Sequence, residues 1–176
     1  MKGRAPAQIT AQVRKLLQDN RIRRPPVPVQ RIARSLAVHV RYESFEDEVS
    51  GVLFRDEVHT IIGVNSLHHK NRQRFTIAHE IGHFILHEME VHVDKGYRVV
   101  LRDSASSQAS DPKEIQANQF AAELLMPEHM LLQDAPRFVR DFEDEAGLEQ
   151  LADLYKVSKQ AMVFRLAHLG VLRQKV

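Results

Sequence analysis

Arg72-Gln73-Arg74-Phe75-Thr76-Ile77-Ala78-His79-Glu80-Ile81-Gly82-His83-Phe84-Ile85-Leu86-His87 is the stretch on which the fold turns. Phe75, Ile77, Ala78, Ile81, Phe84, Ile85 and Leu86 cover most of a helix circumference, so the spacing predicts a buried helix over 71–88. His79 and His83, at i and i+4, leave one face of that helix together and can grip one metal ion. At 3.6 residues per turn, Glu80 lies roughly 60° around from His83, beside such an ion rather than on it. From there a carboxylate can take a proton from an ion-activated water and pass it to a leaving amine. His-Glu-x-x-His on a helix is the zinc-peptidase pattern. Three ionisable groups in an otherwise apolar helix are costly unless something pairs with them, and a metal ion is the simplest partner.

A third protein ligand would leave one position open for water. The metzincin extension fails, because Leu86 stands where glycine is required and Met89 where the third histidine is required. A second helix, opened by Asp111-Pro112 and stopped by Pro127, places Glu114, Ala117, Asn118, Ala121 and Ala122 on one face. Its alanines allow close packing on the histidine helix. Glu114 is therefore a candidate ligand, but Asp111-Pro112-Lys113-Glu114 equally suits a capping box, and spacing alone does not separate the two. Glu88, Glu90, Asp94 and Glu123 are weaker rivals. Asn118, one turn beyond Glu114, suits either an acceptor for the second ring nitrogen of His79 or His83, or an ordinary buried amide. His87 falls a further turn from His83, past the ion, as a cleft or packing residue. His68 and His69 sit in the lead-in loop and are expected to be exposed. No oxyanion-stabilising group stands out; Tyr97, Arg98, His129 and Tyr155 are all open candidates.

Before the histidine helix, residues 8–19 carry Ile9, Val13, Leu16 and Leu17 on one stripe and read as a short helix. Pro25-Pro26-Val27-Pro28 forms an extended link, and Val29 to Leu36 reads as a second short helix. Val38–Tyr42, Val49–Arg55 and Val58–Val64 are strand-like, with a tight turn expected at Asp56-Glu57, and suggest a small antiparallel sheet. Residues 89–111 are polar and irregular; a segment so placed can cover a cleft and open when substrate docks. The expected fold class is α+β, a small antiparallel sheet on a helical zinc-peptidase core. The expected domains are residues 1–145, whose first 28 form the basic helix and link, and a helical segment at 146–176.

At 176 residues and 43% apolar, the chain is long enough for one real core. No run approaches the roughly 20 apolar residues of a membrane span. The basic start, Met1-Lys2-Gly3-Arg4, is followed by no apolar signal region, so a cytoplasmic protein is expected. There are no cysteines, which excludes thiolate zinc sites, iron–sulfur clusters and a cysteine nucleophile. Any metal must be held by His, Asp or Glu, and ten histidines supply the means. Ten Lys/Arg against one acid, Asp19, mark residues 1–41, while 141–153 holds six acids and no base. The basic end can meet nucleic acid or an acidic surface, or pair with the acidic end; aromatic residues do not interleave it for stacking.

The stretch 72–87 and a second one, Glu114-Ile115-Gln116-Ala117-Asn118-Gln119-Phe120-Ala121-Ala122-Glu123-Leu124-Leu125-Met126-Pro127, together strongly resemble the ImmA/IrrE family of bacterial metallopeptidases. The resemblance spans roughly residues 25–170. It implies that His79, His83 and Glu114 bind Zn²⁺ and that Glu80 is the catalytic base. It also implies a protein substrate, typically a helix–turn–helix transcriptional repressor. Residues 148–172 look like helix–turn–helix, with Val157 plugging the turn and Ser158 capping the second helix. They resemble the helical segment that follows the peptidase core in this family. Only Lys159, Gln160 and Arg165 offer themselves as base readers, so packing is the favoured role and direct nucleic-acid binding the weaker expectation. The competing class is a DNA- or repressor-binding regulator with a structural metal site. Glu80 argues against it, because a structural site has no use for a base beside the ion.

Overall fold

The computed structural model describes residues 7–45, 48–87, 91–94, 111–141 and 143–171. In chain order they form α1 (Ala7–Asp19), α2 (Val29–Ser35), β1 (Val38–Glu43), β2 (Gly51–Arg55), β3 (Thr60–Asn65), α3 (Lys70–Leu86), β4 (Val91–Asp94), α4 (Pro112–Leu125), α5 (Glu128–Phe138), α6 (Glu145–Tyr155) and α7 (Lys159–Leu169). They sort into two compact units, Val29–Ala121 and Met1–Pro28 with Ala122–Val176, the division falling inside α4. Among the described residues, no helix is long and apolar enough to cross a membrane.

In Val29–Ala121 the four strands run in the order β1-β3-β2-β4. β2 pairs antiparallel with β3 and with β4, but β1 joins β3 in parallel, from Val38 opposite Thr60 to Glu43 opposite Asn65. The sheet is therefore mixed, not antiparallel as expected. β3 is apolar toward both faces: Ile62 and Val64 are fully buried and Ile61 half-buried, which suits an inner strand. Its insertion between β1 and β2 leaves β1 beside a strand running the same way.

The β2–β3 turn is wider than the two residues expected. Asp56 N–H donates to His59 O, and the Asp56 carboxylate accepts from Val58 and His59 N–H, at 2.8 and 2.6 Å. An aspartate that closes the turn this way removes the need for glycine.

The lead into α3 is fastened by polar side chains, of which Ser50, Asn65 and Gln73 are buried. Gln73 donates from its amide to the carbonyls of Asn65, Ser66 and His68. Asn65 donates to Val49 O, and Arg72 to Ser50 Oγ, each at 2.8 Å. His69 is the N-cap, its Nδ1 accepting from Asn71 N–H. α3 then passes beneath the sheet with Thr76 through His83 all buried. It crosses α4 at Gly82, where a Cβ would stand 3.2 Å from Ala117 Cα and O and from Phe120 Cβ. Glycine facing alanine lets the two helices touch backbone to backbone, as the alanine face of α4 predicts.

In the other unit the buried face of α1 is Ile9, Val13, Leu16 and Leu17, the stripe expected. α5 buries Met130, Leu131 and Ala135, and α6 buries Leu148, Leu151, Ala152 and Tyr155. Asp144 caps α6 by accepting from Gly147 N–H, and Lys156 closes it in the left-handed conformation at φ 55°. Ser158 caps α7 by accepting from Ala161 N–H, with Val157 buried in the turn. Of the three side chains that offered themselves as base readers, Arg165 is turned inward, 5% exposed and paired with Glu123. Lys159 pairs with Glu145.

Candidate metal centre

α3 projects His79, Glu80 and His83 from its buried middle, all 2% exposed or less. The first turn of α4 brings Glu114 to them. Asp111 caps that turn, accepting from Lys113 N–H at 2.9 Å, while the Glu114 carboxylate faces the histidines. His79 Nε2 and His83 Nε2 are 3.0 Å apart; Glu114 Oε2 is 3.4 Å from the first and Oε1 3.2 Å from the second. Ligand atoms about 2.0–2.2 Å from a tetrahedral zinc ion stand roughly 3.3–3.5 Å from one another, so this triangle fits such an ion. Two basic nitrogens held this close, with a carboxylate, make a donor set that a cation satisfies.

His79 Nδ1 lies 3.0 Å from Asn118 Oδ1. The amide oxygen can only accept, so Nδ1 carries the proton and Nε2 keeps its lone pair toward the site. Of the two roles open to Asn118, the structure therefore brings it to His79. Burial pushes the His83 pKa down to about 4 against the pull of Glu114, which leaves its ring neutral and able to ligate at neutral pH. Burial works to raise Glu114, but the imidazoles of His79, His83 and His92 gathered around its carboxyl hold it far below the usual carboxylate range.

His92 is the residue that reading the sequence missed. It sits on β4, within a stretch expected to be irregular, and pairs with Leu53, which is buried on the α3 side of β2. Cross-strand partners share a face, so the pairing turns His92 toward α3. Its Nδ1 is 3.1 Å from Glu80 Oε2 and its Nε2 is 2.8 Å from Glu114 Oε1. Burial opposes charge on this ring, but the hydrogen bonds and charges of Glu114 and Glu80 win and raise it to about 10. One ligand atom from each of His79, His83, His92 and Glu114 lies within 4.8 Å of all the others. The available signal was the alternation in Val91-His92-Val93, hidden by its polar surroundings.

Gly51 was also missed. A Cβ there would overlap Thr76 Cγ2 and stand 3.3 Å from Glu80 Oε1, so the bare backbone lets β2 lie against the acid. Gly51→Ala is expected to cost about 1–3 kcal/mol by overpacking and to lower turnover by shifting Glu80. Thermal melts and cleavage rates on one preparation check both; a variant unchanged in each would show that the strand yields freely.

The remaining candidates separate. His87 Nε2–H donates to Lys113 O at 3.2 Å, a packing role. His69 is exposed and His68 half-buried, against the exposure expected of both. Glu123 is committed to Arg165, and the Tyr155 hydroxyl donates to Asp134 at 2.8 Å, buried, with its pKa raised by burial and by that carboxylate. His129 lies on the other unit, lining a small cavity beside α1. Glu88, Glu90, Tyr97, Arg98, the Asp94 side chain and the rest of the expected cover over 95–110 lie outside the described residues.

Comparison with known proteins agrees with this geometry. The chain is 26% identical over 129 residues to the metallopeptidase ImmA of Bacillus subtilis (strain 168), covering 73% of this chain and 69% of that one. The family model of peptidase M78, the IrrE N-terminal-like domain, matches residues 33–167, which include every residue of the site. The chain belongs to the peptidase M78 family and is a metallopeptidase.

Proposed function

We propose that this protein is a zinc-dependent endopeptidase in which His79, His83 and Glu114 hold the ion, Glu80 is the general base and the substrate is a helix–turn–helix transcriptional repressor. The observation that carries the reading is the triangle of His79 Nε2, His83 Nε2 and Glu114 with a wholly buried carboxylate, Glu80, on the same helix turn. Two imidazoles and one carboxylate are the donor set of catalytic zinc peptidases, which leaves a position for water. Zinc, when bound, supplies Lewis acidity to the attacking water and to the scissile carbonyl.

The chain's own groups do the rest. Glu80 takes a proton from the attacking water onto a carboxylate oxygen and returns it to the amine nitrogen as the C–N bond breaks. Asn118 holds His79 in the tautomer that can ligate. β4 is the last strand in the order of the sheet and carries His92 into the site. An extended substrate segment laid along it gains main-chain hydrogen bonds. The repressor follows from the family resemblance of the two long motifs.

The test looks for a helix–turn–helix repressor encoded beside the gene and mixes the zinc-loaded protein with it and, separately, with that repressor's operator DNA. Site-specific, chelator-sensitive cleavage is expected. Sequence-specific operator binding by this chain, with the repressor left intact, would favour a DNA-binding regulator and overturn the reading. Glu114→Ala should lose both stoichiometric zinc and activity; retention of both would remove Glu114 from the ligand set.

A further inference from the structure

His92 brings a third imidazole to a site that needs only two. It could close the site as a fourth ligand or serve those already there, and the geometry separates the alternatives. Two imidazoles radiating from one tetrahedral ion hold their ring centres about 5 Å apart. His79 and His83 come near this, at 4.6 Å and 74° between planes. His83 and His92 do not: their centres are 3.8 Å apart and their planes differ by 31°, so His92 stacks over His83. Both nitrogens of His92 are also engaged. Nε2 meets Glu114 Oε1 at 2.8 Å, and Nδ1 meets Glu80 Oε2 at 3.1 Å. Each nitrogen is thus aimed at a carboxylate oxygen at hydrogen-bond distance, and not at a point shared with the other two imidazoles.

We propose that His92 is a positioning residue rather than a fourth ligand, one imidazole clamping the ligand carboxylate of Glu114 and the carboxylate of Glu80 while its face rests on His83. Glu114 and Glu80 stand on different helices, and β4 spans between them. Glu114 is partly solvent-exposed, at 22%, and would otherwise have freedom to swing away. A partner that fixes the orientation of a ligating carboxylate is worth about 10–100-fold in metal affinity or activity, whereas a lost ligand costs much more.

The inference rests on the metallopeptidase reading, and its main readouts need no substrate, so the two can fail separately. His92→Phe keeps a ring on His83 and loses both donors. His92→Gln keeps one amide donor and serves if the phenylalanine variant does not fold. Each is loaded with Co²⁺, whose visible spectrum reports coordination number, and then challenged with excess dipicolinate. The parental spectrum is expected in both variants, with cobalt released about 10–100-fold faster in His92→Phe and less so in His92→Gln. In the ¹⁵N-histidine spectrum of the zinc-loaded protein, Glu80→Gln should move the His92 Nδ1 resonance. A changed cobalt spectrum would make His92 a ligand, and parental release rates in both variants would make it idle; either overturns the proposal. A parent protein that holds no cobalt or zinc would instead bring down the metal site itself.

Discussion

Glu80→Gln is expected to fold, to bind one metal ion and to cleave about 10²–10⁴-fold more slowly, the usual worth of a general base. The substitution keeps shape. The amide oxygen can still accept from His92 Nδ1, 3.1 Å from the present carboxylate oxygen, and Gly51 still leaves room for the head group. It removes the one property the reaction uses, a carboxylate able to hold a proton between water and amine. Because Glu80 is fully buried, solvent cannot readily stand in for it. Turnover at saturating substrate, metal stoichiometry and a melting curve on one preparation test this. Cleavage within a few-fold of the parent would sink the base assignment while leaving the metal site standing.

Arg165→Met is expected to lose about 3–5 kcal/mol of stability without touching the metal site. The Arg165 and Glu123 side chains pair at 4% exposure each, and Arg165 Nε donates to Met126 O at 3.1 Å. Removing the guanidinium strands a buried carboxylate whose hydrogen bond from Glu128 N–H is long at 3.4 Å. For a chain of this length each kcal/mol moves Tm by roughly 2–4 °C, so a fall of about 6–20 °C is expected. Replacing both partners with apolar residues, Glu123→Leu with Arg165→Met, should recover most of the loss, because a buried pair contributes little net while a lone buried charge costs much. A single variant that melts with the parent would show that the carboxylate is solvated or neutral. The same pair turns the central arginine of α7 into the fold.

Much of the architecture was legible because the signals are local. Helix periodicity marked α1, α3 and α4 to within about two residues, since a buried stripe repeats at 3.6 residues wherever the helix lies. The His79/Glu80/His83 group was legible for the same reason: one turn of helix fixes the spacing of its members, and no distant contact is needed to bring them together. Pro127 and Ser158 announced a stop and a start through their own backbone chemistry.

What tertiary structure alone decided is pairing between distant segments. Glu114 could be a cap or a ligand by spacing; only the crossing of α4 over α3 at Gly82 turned its carboxylate to the histidines, with Asp111 left to cap the helix. β1 reads the same whether its neighbour runs parallel or antiparallel, and the insertion of β3 between β1 and β2 settled that. His92 shows the limit most sharply. Four residues of alternating sequence carry too little local preference to declare a strand. Their order comes from hydrogen bonding to β2, and that pairing aims one imidazole between two carboxylates 12 and 22 residues away in the chain.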